Sequence, residues 1–470
     1  MLNAATYLRR ELLIRLVRAF DSGTLQEEID RIPVKLRPKD GDPSRCCVYH
    51  DRAVIKYRLM AFLGISAEEE TDEAKTLKEY LGEAVGETCA REESDMYERR
   101  VAPISVCGPA CSGCPDSRVV STSNCRGCLA RPCLYSCPKK AITVTGGRSV
   151  IDHGKCIKCG KCISACPYPA IIKTTVPCEE ACPVGAIRKN ERGIAEIDFK
   201  RCIFCGKCFM ACPFGAIMER SQIIGILSAM KRGEKLVAMV APAADHQFPG
   251  TVEQLLAACV KVGFSDVIEV ALGAEKTTSH ETAEFLERME RNPNTFMTTS
   301  CCPAYVNLVG KHIPELVEHV SLTPSPMVYA HEMVRAADPS VKTVFIGPCV
   351  AKRSEAKRKG VDFVLSFEEL GALLAGRQID ILACEPHPVK RPAAASARNF
   401  ARSCGVTEAV LKAATDEFPG FELKSKQIDG IDRKTASILK LHALGKLPGN
   451  FIEVMACQGG CVNGPCSLRR

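Results

Sequence analysis

Residues 156–167 read Cys-Ile-Lys-Cys-Gly-Lys-Cys-Ile-Ser-Ala-Cys-Pro, and the spacing returns at Cys202, Cys205, Cys208, Cys212 and Pro213. Three thiols at intervals of three let one short loop surround a cube of four irons and four sulfides. The fourth thiol, followed by proline, reaches a neighbouring cluster. Zinc asks only for paired ligands and has no use for the trailing Cys-Pro. In these runs Cys156, Cys159, Cys162 and Cys166, with Cys202, Cys205, Cys208 and Cys212, are therefore expected to bind iron.

Working outward, a variant run precedes them at Cys125, Cys128, Cys133, Cys137 and Pro138, with a wider middle gap. Between the two regular runs stands half a motif, Cys178 and Cys182-Pro183, whose Pro-Val-Gly-Ala-Ile tail echoes Pro213–Ile217. From Cys125 to Cys212 these stretches supply 14 thiols. At four thiolates per cube that completes three additional 4Fe–4S clusters. A fourth needs help from Cys107, Cys111 or Cys114, whose role the spacing leaves open among a further cluster, zinc and inert thiols. Such a zone predicts one or more ferredoxin-like α+β domains, organised by clusters and suited to moving single electrons.

The rest of the chain sets bounds. It has 470 residues, 46% hydrophobic and 25% charged, which suits a protein with a large buried core, and 29 cysteines, far too many for an ordinary one. A disulfide scaffold belongs to small secreted chains. The start, MLNAATYLRRELLIRLVRAF, is crossed by Arg9, Arg10, Arg15 and Arg18, so it reads as an amphipathic helix, not a signal peptide. No apolar run approaches the ~20 residues that span a bilayer. A cytoplasmic protein with reduced thiols and no membrane partner is expected. The formal charge of +8 omits cysteine thiolates, and the chain has no Trp, so nucleic acid is not expected as a partner.

Three zones follow: a charged, helical N-terminal region over 1–100 with a turn-rich break at Lys39–Pro43, the ferredoxin-like zone over 101–221, and 222–470. In the last, strand-like runs at Lys235–Val240, Asp266–Ala271 and Lys342–Ile346 alternate with helical patterns at Thr251–Val262 and Glu281–Glu290. That alternation predicts an α/β domain with a partly parallel sheet, whose ligands sit beyond the carboxyl ends of the strands. Its cysteines concentrate in Thr299-Ser300-Cys301-Cys302-Pro303, in Gly347-Pro348-Cys349-Val350-Ala351-Lys352, and in Glu453-Val454-Met455-Ala456-Cys457-Gln458-Gly459-Gly460-Cys461. Cys457 and Cys461 are four apart, so on a helical turn both would face one way. Four thiolates at one point mean a cube or zinc.

In order and spacing these three motifs resemble the signatures of the iron-iron hydrogenases. The likeness covers roughly residues 101–470, and Arg45-Cys46-Cys47-Val48-Tyr49 looks like the amino-terminal region of a less studied, group B-like branch. The resemblance implies an H-cluster: a 4Fe–4S cubane on Cys302, Cys349, Cys457 and Cys461, the last bridging to a diiron subsite. That subsite carries CO, cyanide and an azadithiolate, and separate maturation proteins install it. The resemblance makes Cys301 the proton-relay thiol and Lys352 the donor to a cyanide, and places Met455 and Ser325 in the pocket wall. It implies a proton path Glu284–Ser321–Glu281–Cys301 with Arg288 at its outer end. By spacing alone Glu281, Glu284 and Arg288 share one helix face, and a solvated stripe is the plain alternative.

The implied activity is reversible reduction of protons to H2, with electrons exchanged with ferredoxin or a similar one-electron carrier. No dinucleotide fingerprint suggests otherwise. Gly347 stands where this family usually has methionine, and a smaller residue there is expected to open or reshape the pocket. Tyr305 replaces a tryptophan, Met327 a glutamine, and Pro465-Cys466 a glycine pair, with Cys466 a candidate free thiol near the cluster motif. Cys46, Cys47, Cys89, Cys259, Cys384 and Cys404 lack ligand spacing and read as structural. Two rivals remain. Non-catalytic assembly factors in this family typically carry Ala at the position of Cys301. Hydrogen sensors carry extra signalling modules, whereas only residues 462–470 follow Cys461.

Overall fold

The computed structural model describes residues 3–70, 72–86, 102–111, 113–388, 391–417 and 423–469. Cys89 and the end of the first zone lie outside them.

Each cysteine run closes with Cys-Pro-x-x-Ala, and the local structure repeats with it. The backbone N–H groups of Ala141, Ala170, Ala186 and Ala216 donate to the sulfurs of Cys137, Cys166, Cys182 and Cys212 at 3.3, 3.4, 3.2 and 3.3 Å. The half motif at Cys182 thus makes the same turn as the full runs. Around these turns the strands form two modules of one plan. In the first, 118–121 pairs antiparallel with 171–174, and 142–145 forms a hairpin with 148–151. In the second, 104–106 pairs with 217–219, and 187–189 with 195–197. The second module encloses the first in sequence, so its own chain is interrupted between 106 and 187.

The carboxyl-terminal zone contains two parallel sheets. The larger has the order 266–269, 236–240, 342–347, 363–366, and the smaller 297–298, 451–455, 425–429. Parallel pairs require crossovers, and the helices Val252–Lys261 and Ala351–Lys359 supply two of them. Thr251 and Gln254 close a capping box at the start of the first, where the sequence pattern predicts it. The helix expected over 281–290 instead runs Ala271–Arg291. Its first half contains Gly273, Thr277 and Thr278, which weaken a helical reading. Packing reverses that preference: a Cβ on Gly273 would sit 2.2 Å from Pro326 O, so only glycine lets the helix Pro326–Ala337 approach this closely.

The N-terminal helices share a core with the larger sheet. Leu12, Leu13, Leu16 and Val17 are buried in the same cluster as Leu236, Val344 and Leu370. Arg9 makes a two-pronged bond to Glu368 at 2.6 and 2.8 Å. A second buried ion group joins the outer iron–sulfur module to the carboxyl-terminal zone: Arg353 reaches Glu369 at 2.7 Å and Glu219 at 3.2 Å. Cys466 belongs to this group, with its sulfur 3.3 Å from Glu219 and its side chain fully buried, so it is no pocket thiol. Removing one partner of such a group leaves a buried charge unpaired, a change that costs about 3–5 kcal/mol.

Candidate functional site

The carboxyl ends of both sheets meet around one cavity. Ala241–Ala243 line it after strand 236–240, Val270 after 266–269, Pro348 and Cys349 after 342–347, and Met455 and Ala456 at the end of 451–455. Cys301, Cys302, Cys349, Cys457, Cys461 and Lys352 all reach this cavity. Three distant stretches are thus brought together, as the crevice rule for parallel sheets requires. Cys457 and Cys461 arrive differently from the expected helical turn. Between them Gly459 and Gly460 take φ of +77° and +92°, and a Cβ on Gly460 would lie 2.5 Å from Ala401 O. The glycine pair folds the loop back so that both thiols face inward.

The donor set fits a multi-iron cluster. Burial first, and neighbouring thiolates with it, push the thiols of Cys349 and Cys461 up to about 12. Cys457 is raised well above its ordinary value by burial and by Cys349, Cys461 and Cys302. Such thiols ionise together only beside cationic metal. Among the described residues no three His, Cys, Asp or Glu side chains converge closely enough for a single ion. Cys302, Cys349, Cys457 and Cys461 all line the one cavity instead.

Lys352, the buried cation of the cavity, is held by Ser325 Oγ at 2.9 Å and Glu355 Oε2 at 2.6 Å. Burial disfavours its charge, but Glu355 outweighs burial and raises its pKa. Ser325 therefore acts as a positioning group behind the wall, and Glu355, three residues on in the helix Ala351–Lys359, is a partner that the i, i+3 spacing signals but the sequence reading missed. Met455 lies against the cavity, as does Met327. The expected opening at Gly347 is absent, because Phe345 fills it. A Cβ at 347 would come within 2.6 Å of that ring, which itself lines the cavity.

Behind Cys301 lies Glu281, fully buried on the helix Ala271–Arg291, with no donor at hydrogen-bond distance from either carboxyl oxygen. Burial and the charge of Glu284 push its pKa up to about 8, although the Ser300 N–H and the Ser321 hydroxyl lie near enough to pull the other way. Glu284 is different. Burial pushes it up, but the Leu322 N–H, Ser321, Thr323 and Arg288 outweigh burial and hold it below the usual carboxylate range. Ser321 donates to it at 2.8 Å, Thr323 Oγ1 at 2.9 Å and Arg288 at 2.6 Å. Glu284 and Arg288 line an open surface depression with His280 and Tyr329. Glu284 is hydrogen-bonded to Ser321, whereas Glu281 is bonded to neither Ser321 nor Cys301, so the expected path has two unbridged steps. Thr323 went unrecognised in the sequence because nothing in its spacing marks it.

The iron–sulfur zone resolves into pairs that spacing leaves open. Cys156, Cys159 and Cys162 share a pocket with Cys137, and Cys125, Cys128 and Cys133 share one with Cys166. Each run's last thiol crosses to the other run's group. Cys202, Cys205 and Cys208 feel the charge of Cys182, and Cys205 also lines the large cavity. The wire therefore touches the site. Of the cysteines expected to be structural, Cys259 and Cys384 are buried, Cys47 caps the helix Val48–Phe62 by accepting from His50 N, Cys404 is half-buried and Cys46 is exposed.

Residues 234–465 match the family model for the iron only hydrogenase large subunit, C-terminal domain. Residues 175–216 match a 4Fe-4S dicluster domain, and 149–172 a 4Fe-4S binding domain. The large subunit of the periplasmic [Fe] hydrogenase of Nitratidesulfovibrio vulgaris is 30% identical over 370 residues, spanning 67% of this chain and 85% of that protein. The chain belongs to the iron-only hydrogenase large-subunit family. Iron hydrogenase 1 of Clostridium pasteurianum is 28% identical over 374 residues, and the match takes in 64% of its length. Assembly factors also match. The cytosolic Fe-S cluster assembly factor NAR1 of Eremothecium gossypii is 25% identical over 263 residues, 43% of this chain and 58% of that protein. A solved structure of the [FeFe]-hydrogenase HydA1 from Chlamydomonas reinhardtii is similar at a TM-score of 0.43 and 22% identity, covering 50% of this chain and 80% of that one. No helix among the described residues is long and apolar enough to cross a membrane.

Proposed function

We propose that the chain is an iron-iron hydrogenase that interconverts H2 with two protons and two electrons, rather than an assembly factor or a sensor. The observation that carries this reading is the pairing of Cys301, inside the cavity, with the buried, unpartnered Glu281 behind it. An assembly factor that only holds a cube has no need of an acid stored beside it. Cys302, Cys349, Cys457 and Cys461 are the residues that would hold the cubane. The attached diiron subsite, when bound, supplies the open metal site and the basic amine at which the H–H bond is made or broken.

The protein's own part is to deliver protons and electrons and to exclude water. Glu284, ionised at the surface, takes a proton from solvent. Ser321 passes it inward, and Glu281 holds it as a neutral acid near pH 7. The Cys301 thiol, raised well above its ordinary value by burial and by Glu281, keeps its proton until the cavity demands it. Lys352 places positive charge where anionic ligands would sit. Met455, Phe345 and Pro242 keep the space apolar. Electrons reach Cys302 and its partners from the cube next to Cys205.

The carrier at the far end is proposed to be a small acidic one-electron protein of ferredoxin type, and the compartment the cytoplasm. Residues 118–174 hold ten Lys and Arg against one acidic residue, Asp152. Cys159, at that end, is exposed, as are Ile157 beside it at 56% and Leu129 of the preceding cysteine run at 96%. Electron transfer to an acidic ferredoxin should slow at least severalfold between low and 0.3 M salt, because charges beyond a Debye length of roughly 6 Å are then screened. A rate independent of salt would remove this docking surface.

The deciding experiment is infrared spectroscopy of protein produced with the maturation proteins. CO and cyanide bands are expected. Their absence in protein that contains its cubane would favour the assembly-factor reading.

A further inference from the structure

The stretch matching a dicluster domain, 175–216, carries only six cysteines, although two cubes need eight thiolates. The structure assigns the missing pair: Cys111 and Cys114, together with Cys178 and Cys212, hold a fourth wire cube. The outer module is thus a complete two-cluster unit whose chain leaves after its second ligand, builds the whole inner module, and returns at its third. The inference rests on the iron–sulfur reading of the chain, not on hydrogen chemistry.

Four observations carry it. Cys111 and Cys114 have the spacing of the first two thiols of a full run, like Cys156 and Cys159 or Cys202 and Cys205. The segment bearing them is fastened beside the loop of Cys212. Cys107 N donates to Ala216 O at 2.7 Å, immediately beyond the end of the strand pair 104–106 with 217–219. Gly113 lies against Phe214, so closely that a Cβ would meet the ring at 2.6 Å. Lys189 donates to Cys114 O from the hairpin that follows Cys182. Cys111 also accepts an N–H from Ala195 at 3.2 Å, the N–H···S contact seen at the closing thiol of every run. Finally, Cys111 and Cys178 are buried in one core cluster, with Cys114 and Cys212 packed against it.

Five thiols surround four corners, and Cys107 is the one left out. It sits at the strand end, 1% exposed, with its sulfur turned towards Val54 O at 4.0 Å. Cys182, free of this group, completes the cube of Cys202, Cys205 and Cys208. The same crossover of closing thiols joins the two groups of the inner module.

The test is the iron and acid-labile sulfide content of the full chain, made without maturation proteins and reconstituted anaerobically. With four wire cubes and the cubane, about 20 irons per chain are expected, against about 16 with three wire cubes. The double variant Cys111→Ser, Cys114→Ser should lose about four irons, while Cys107→Ser keeps the full content. Mössbauer spectra should show the loss as one cube. A double variant that retains all its iron, or a wild-type chain saturating near 16 while its cubane is filled, overturns the assignment. If the double variant does not fold, the wild-type count decides. Absence of hydrogenase activity would leave every one of these counts unchanged.

Discussion

Cys301→Ala is expected to lower H2 turnover by about 10²–10⁴-fold while leaving iron content and the CO and cyanide bands intact. That loss corresponds to about 3–5 kcal/mol of transition-state stabilisation. The split between rate and spectrum follows from the geometry. Cys302 is the neighbour proposed to hold iron, and both cysteines reach the cavity from the extended segment before the helix Pro303–His312. Removing the 301 thiol deletes a proton donor without removing a ligand. Had Cys301 been structural, alanine would cost stability and iron together. A variant that retains wild-type turnover would refute the relay role, and one that loses its infrared bands would make Cys301 part of cofactor assembly.

Glu281→Gln should produce two opposite effects in one protein. Turnover should fall by roughly 10²–10³-fold, since glutamine offers nothing to transfer onward. Stability should rise relative to wild type above pH 5. Glu281 has a folded pKa of about 8 against an ordinary value of 4.5. A raised pKa contributes stability that is present below the unfolded value and lost as pH rises through the folded one. Between pH 4.5 and 8 the unfolded chain releases this proton while the folded chain keeps it, so wild type weakens progressively by an amount on the order of a few kcal/mol. Glutamine is indifferent to pH there. The gap in thermal midpoint between variant and wild type should therefore widen from pH 5 to 8 and level off above. A gap independent of pH would mean that Glu281 is already ionised in the folded state and cannot store a proton.

These two residues also mark how far the sequence reaches. Glu281 and Glu284 share a helix face by simple periodicity, and nothing in their spacing separates a buried acid from a solvated one. The fold makes the difference. Glu284 meets the 321–323 loop and gains Ser321, Leu322, Thr323 and Arg288 as donors, while Glu281, one turn earlier, is fully buried with none. Gly347 teaches the same lesson. A small residue reads as added space, but Phe345, on the same strand, occupies it.

The amino-acid sequence alone determined the local chemistry: the iron-binding runs, the alternation of strand and helix beyond residue 222, and the three cysteine motifs. Each of these is encoded within a dozen or so neighbouring residues, where spacing and periodicity act directly. Only the tertiary structure decided which thiols share a group, that the outer iron–sulfur module encloses the inner one, and that the N-terminal helices complete the core of the larger sheet. Those depend on contacts between residues such as Cys107 and Ala216, or Leu12 and Leu236, that packing brings together across long stretches of chain. Sequence spacing carries no trace of such pairs, because the free energy that selects them comes from burial and strand pairing over the whole fold.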